Sequence, residues 1–133
     1  MRNIKYLVVH CTATPQNARV ETILRYWREK LGWKNPGYHK IIDRNGSITT
    51  LLPPESNANG VAGFNAVCLH VSYIGGAKLD NRTEAQKRAL IEVLSEWKRQ
   101  YPSAVIQGHR DFPNVKKACP QFDAKAEYQT LGR

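Results

Sequence analysis

A chain of 133 residues, 41% hydrophobic and 23% charged, has the size and make-up of one globular domain spanning 1-133. It holds no apolar run near the roughly 20 residues that cross a bilayer. Three cysteines, an odd number, argue against a disulfide framework and leave thiols for packing or metal. Twenty Lys and Arg against 11 Asp and Glu give a net charge of +9, which favours polyanionic partners: nucleic acid, anionic lipid or the acidic bacterial envelope.

In chain order, the segment Met1-Arg2-Asn3-Ile4 has a basic start, a very short apolar run after it, and no small-residue cleavage site. No signal peptide is expected, so synthesis is placed in the cytoplasm. Ile4 to His10 reads as a buried strand, ending in the loop Cys11-Thr12-Ala13-Thr14-Pro15. Val20, Ile23, Leu24, Trp27 and Leu31 fall at helical spacing and predict an amphipathic helix over 18–31, stopped by Gly32 and Asn35-Pro36-Gly37. Tyr38–Asp43 and Ser47–Leu52 flank Asn45-Gly46, a hairpin signal. Pro53–Gly63 reads as a polar surface loop and Ala66–Ile74 as a strand closed by two glycines. Thr83 and Gln86 have capping-box spacing, followed by Leu90, Val93, Leu94, Trp97 and Tyr101 on one face of a long helix that Pro102 ends. Ala104–His109 is a last strand, with a short helix near 123–128. This order predicts an α/β single domain with a central mixed β-sheet of about five strands flanked by helices.

Function gathers at strand ends in such sheets. His10 closes the first predicted strand, His109 the last, and Cys119 follows ten residues later in a loop. Two imidazoles and a thiolate suit zinc, and three protein ligands leave a fourth position for water. Taken singly, a histidine at a strand end more often serves structure, and a lone cysteine is more often a small buried hydrophobe. The flanking residues make the set specific.

Val9-His10-Cys11-Thr12, Gly37-Tyr38-His39, Gly108-His109-Arg110-Asp111 and Lys117-Ala118-Cys119-Pro120-Gln121-Phe122-Asp123 resemble the N-acetylmuramoyl-L-alanine amidases of the phage T7 lysozyme and peptidoglycan recognition protein family (amidase type 2). The resemblance runs from residue 4 to about 125, with its motifs in the family's order. It implies that His10, His109 and Cys119 hold Zn2+, that Tyr38 matches the tyrosine beside the water to be activated, and that Lys117 matches the lysine facing the scissile carbonyl. The chemistry is coherent: amide hydrolysis needs an activated nucleophile, and its tetrahedral intermediate needs a donor or cation opposite the developing charge. Lys117 and Cys119 are two apart, so an extended segment points both to one side.

Blander readings stand beside these. Tyr38 could simply begin a strand, and Lys117, next to Lys116, could be solvated. Lys40 is expected to share the Tyr38 face and touch substrate; His39 is expected to face the other way and serve structure. Trp27 and Trp97 belong to apolar stripes, whereas Trp33, in a Gly-rich turn, is a candidate substrate contact. His70 stands at a position where the family pattern has glycine, and no catalytic role is assigned to it. Cys11 is expected to point away from the ligands and pack; the alternative, if the strand is bent, is that it competes for the metal.

The reading is therefore zinc-dependent hydrolysis of the amide between N-acetylmuramic acid and L-alanine in peptidoglycan, by a monomer acting at the cell wall after release or export. The alternatives are a non-catalytic peptidoglycan-binding module and a basic regulator of a polymerase or nucleic acid. Cys119, Tyr38 and Lys117 favour catalysis over binding alone. The basic residues are scattered, no block of five like charges appears, and no nucleic-acid-binding signature is visible, so neither a specific nucleic acid partner nor membrane insertion is expected.

Overall fold

The computed structural model describes residues 3–131; Met1 and Arg2 of the basic start lie outside them. Five strands form one sheet in the order β3-β2-β4-β1-β5: β1 (Tyr6–Cys11), β2 (Lys40–Ile42), β3 (Ile48–Thr50), β4 (Cys68–Tyr73) and β5 (Val105–Gly108). β1 runs parallel to both β4 and β5, β2 runs parallel to β4, and only the β2–β3 hairpin is antiparallel. The mixed sheet expected from the sequence is present, and its three central parallel strands send their C-terminal ends to the same edge.

Helix α2 (Glu84–Gln100) covers one face. Its start carries the predicted capping box: Thr83 Oγ1 accepts from the Gln86 N–H, and Gln86 Oε1 accepts from the Thr83 N–H. Buried Gln86 does more, donating through Nε2 to the carbonyls of Ile42 and Ile74 and so pinning the first turn of α2 to the sheet. Leu90, Val93, Leu94 and Trp97 then meet Leu7, Val9 and Cys11 of β1 and Leu69, Val71 and Tyr73 of β4 in one core. Leu90 and Leu94 are fully buried, each contributing roughly 1.5–3 kcal/mol relative to exposure.

Helix α1 (Val20–Glu29) packs on the opposite face, with Ile23 and Trp27 against Ile41 and Ile74. It ends sooner than its periodicity predicts. Leu31 lies past the Lys30 cap in a bend and is 42% exposed. The hairpin turns where predicted: Asp43 Oδ1 accepts from the N–H groups of Asn45 and Ser47. Gly46 there has φ +85°, and a β-carbon would stand 2.9 Å from that of Ala85, so both conformation and packing require glycine. A 3₁₀ turn (Asn65–Val67) leads into β4, another (His109–Asp111) follows β5, and α3 (Ala124–Glu127) closes the described chain.

Candidate metal centre and cleft

The parallel arrangement places His10, next to last in β1, beside His109, the first residue after β5. Cys119 is brought to them by its loop. The Arg110 N–H donates to the Cys119 carbonyl at 2.9 Å, and the Cys11 N–H donates to Cys119 Sγ at 3.1 Å. Tyr73 Oη donates to the Pro120 carbonyl at 2.7 Å. Pro120 presses so closely on Gly108 that a β-carbon there would lie 2.7 Å from the proline ring. The family-like Gly108-His109 pair is thus a matter of close approach between β5 and the cysteine loop.

The ligand atoms of His10, His109 and Cys119 lie within 4.8 Å of one another, with Cys119 Sγ 3.9 Å from His10 Nδ1. Tetrahedral zinc would set that last separation at about 3.6 Å, so the donor set fits zinc in both type and spacing. His10 and Cys119 are buried and His109 is half-buried. Burial, then the neighbouring His70, His109 and Lys117, holds the His10 imidazole well below its usual pKa. Burial and Lys117 lower His109 as well. Contact with the Cys11 thiol, together with burial, pushes the Cys119 thiol up. Neutral imidazoles are the form that ligates metal, whereas the thiol must give up its proton to a cation.

These side chains open onto a cleft of about 470 Å³, within the range of ligand sites. Tyr38 lies on its wall, ring centroid 4.9 Å from that of His10 and 5.2 Å from that of Trp27, its hydroxyl donating to the Cys11 carbonyl at 3.3 Å. Burial pushes the Tyr38 phenol up, so it stays neutral at physiological pH. Lys117 is exposed on the rim. Trp33 stacks on Trp27, centroids 6.0 Å apart, and lines the cleft too.

Lys40 departs from expectation. It pairs in register with Val71, whose side chain belongs to the α2 core, and its charge acts on Glu96 of α2. It does not line the cleft. The cause is a bend at His39, which breaks the alternation that would have put Lys40 and Tyr38 on one face. His39 is structural, as expected: its Nδ1 accepts from the His70 N–H, its Nε2 donates to the Ser56 carbonyl, and its ring edge meets Trp97. Cys11 packs in the α2 core with its thiol toward the Gly76 carbonyl, but against expectation it does not point clear of the ligand set: its thiol meets that of Cys119, which also reaches into this core, and it lines the cleft.

Sequence reasoning missed three parts of the site. Leu31 forms cleft wall because α1 stops short, which periodicity does not reveal, and Tyr26 joins it from the last turns of α1, off the helix's apolar stripe. Asn59 and Gly60 reach the cleft from the polar loop. His70, singled out only as a residue standing where glycine is usual, meets His10 directly, Nδ1 to Nε2 at 2.9 Å.

A family model described as N-acetylmuramoyl-L-alanine amidase matches residues 1–122. The endolysin of Enterobacteria phage K11 is 36% identical over 128 residues, covering 92% of this chain and 83% of the relative. Among solved structures, the Ph2119 endolysin of a Thermus scotoductus bacteriophage superposes with a TM-score of 0.82 at 26% identity, over 99% of this chain and 86% of the other. Human PGRP-IBETAC, solved in complex with glycosamyl muramyl pentapeptide, shares the fold with a TM-score of 0.82 at 16% identity, over 98% of this chain and 84% of that one.

Proposed function

The chain belongs to the N-acetylmuramoyl-L-alanine amidase family, and on that premise we propose that its amidase activity is zinc-dependent, with His10, His109 and Cys119 as the ligands and Tyr38 and Lys117 as the catalytic side chains. The activity itself, hydrolysis of the amide joining N-acetylmuramic acid to L-alanine in peptidoglycan, goes with the family. The observation that carries the zinc reading is the convergence of three donors within 4.8 Å at the floor of the cleft. When bound there, zinc lowers the pKa of a water to about 7 and polarises a carbonyl.

The chain's own groups fill the remaining roles. Lys117 brings positive charge to the rim, opposite the oxygen that becomes negative as the carbonyl carbon turns tetrahedral. Tyr38, kept neutral by burial and with its one proton given to the Cys11 carbonyl, can accept a hydrogen bond from the attacking water and orient it. Trp33 and Trp27 give an apolar wall on which a sugar or the stem peptide can lie. The net charge of +9 draws the protein to an acidic envelope. Its endolysin relatives support action at the wall after release from the cytoplasm, and among the described residues no helix is long and apolar enough to cross a membrane.

The test is zinc content of the purified chain together with mass spectrometry of muropeptides from digested sacculi. One equivalent of zinc and free stem peptides beginning with L-alanine are expected. Full release of stem peptides by chelated, metal-free protein would remove zinc from the reaction.

A further inference from the structure

Outside the ligand set, the buried His70 imidazole has no place in the scheme above. His70 is fully buried at mid-strand in β4, on the face away from α2. It lies between His10 and Asn65: Nδ1 is 2.9 Å from His10 Nε2, and Nε2 is 3.1 Å from Asn65 Oδ1.

The hydrogen-bond network orders the protons. Asn65 Oδ1 accepts from two backbone groups, the N–H of Gly60 at 3.1 Å and of Val61 at 2.8 Å. A backbone N–H can only donate, so the side-chain atom facing both is the oxygen. The third group at that oxygen, Nε2 of His70, must therefore donate as well. A neutral imidazole carrying its proton on Nε2 has a lone pair on Nδ1, and that lone pair faces Nε2 of His10. His10 then donates through Nε2 and keeps its own lone pair on Nδ1, the nitrogen 3.9 Å from the Cys119 sulfur. The opposite tautomer of His10 would aim a proton at the centre of the donor cluster.

We propose that His70, anchored by Asn65, is a positioning residue that fixes the tautomer and ring orientation of His10 and so presents an unprotonated Nδ1 to the metal. The proposal rests on the zinc reading above. Gly60 belongs to the same device. A β-carbon there would fall 2.3 Å from Nδ1 of His70, so the loop over the ring must carry glycine for the ring to sit where it does. The arrangement uses a second imidazole where metal-binding histidines commonly use a carboxylate or carbonyl, and such supporting partners typically hold about 10- to 100-fold of metal affinity.

Two experiments test it. Long-range ¹H–¹⁵N correlation spectra of the metal-free full chain should show His10 and His70 each protonated on Nε2; a proton on Nδ1 of His10 overturns the proposal, whatever the variants do. Zinc affinity is then measured by chelator competition. His70→Ala should bind about 10- to 100-fold more weakly than wild type, with the metal-free protein still cooperatively folded. Asn65→Asp, which keeps an acceptor for the same three N–H groups, should bind at least as tightly as wild type. If wild type takes up no zinc, the metal reading fails. If wild type binds zinc and folded His70→Ala matches it within twofold, only the role of His70 falls.

Discussion

On one face of the sheet β1 presents Leu7, Val9 and Cys11 to α2; on the other it presents Val8 and His10 to the loops and the cleft. Both faces are dry, for Leu7 and Val9 are fully buried and His10 is 1% exposed. They are held together differently. The α2 face is a non-directional apolar core in which hydrophobic residues of similar volume can be exchanged at modest cost. The cleft face buries His10, His70 and Ser72, and every one of its polar atoms needs a partner of the correct sense. Cys11 at the strand's end touches both sides, but Leu7 and Val9 serve the core while His10 serves the cleft, and the two should be separable by mutation.

The largest separation is expected from the three proposed ligands. Cys119→Ala or His109→Ala should abolish zinc uptake and reduce stem-peptide release by at least about 10³-fold, the several kcal/mol that a catalytic metal supplies. Urea unfolding in chelator should move little, because metal-free wild type lacks that contribution too. Residual activity near wild type in a zinc-free variant would defeat the assignment. Leu94→Ala reverses the pattern. This fully buried α2 residue should cost about 3 kcal/mol in chelator-treated protein, while the folded fraction keeps its zinc affinity within a few-fold. A parallel loss of zinc affinity would show that the two faces are coupled. Lys117→Ala should leave both stability and zinc stoichiometry intact and lower kcat by about 10²–10³. Full turnover in that variant would remove the lysine from the mechanism.

The α2 face was legible in the sequence because its logic is periodic. Leu90, Val93, Leu94 and Trp97 repeat at helical spacing, and all four are core. Thr83 and Gln86 announced the start of the helix, and Asn45-Gly46 the hairpin. The positions of His10, His109 and Cys119 were legible only through their neighbours in the chain. Their meeting depends on β1, β4 and β5 being parallel, a long-range pairing that spacing does not encode. The Lys40 expectation failed because alternation was extended across His39, where a bend interrupts it. The chain from Asn65 through His70 to His10 was not legible either. It joins a loop to two strands through side-chain tautomers, and composition carries no trace of that.

The smallest effect expected concerns the segment that carries Cys119, and it sharpens the comparison by asking what fastens the cleft side to the α2 side. Arg82, its side chain 3% exposed, donates to Asp80 at 2.9 Å, to both Glu127 oxygens at 2.8 and 3.0 Å, and to Tyr128 Oη at 3.0 Å. Its guanidinium lies 3.4 Å over the Phe122 ring. It therefore clamps the stretch just after Cys119 to the loop before α2. Burial opposes ionisation of Asp80, but its hydrogen bonds and charge contact with Arg82 outweigh this and lower its pKa; hydrogen bonding to Arg82 lowers Glu127 as well. A carboxyl whose folded pKa lies below its unfolded value contributes stability above the unfolded value, and loses it as pH falls through the folded one. The Asp80 and Glu127 side chains are 28% and 42% exposed, so water recovers part of the loss when the arginine is removed. Arg82→Met in chelator should then cost about 2 kcal/mol at pH 7, below the range for fully buried pairs. The gap from wild type should narrow as pH drops below about 4, where free carboxyls take up protons. A gap that stays constant in urea titrations from pH 7 to pH 3 would mean that the clamp works through packing on Phe122 rather than through charge.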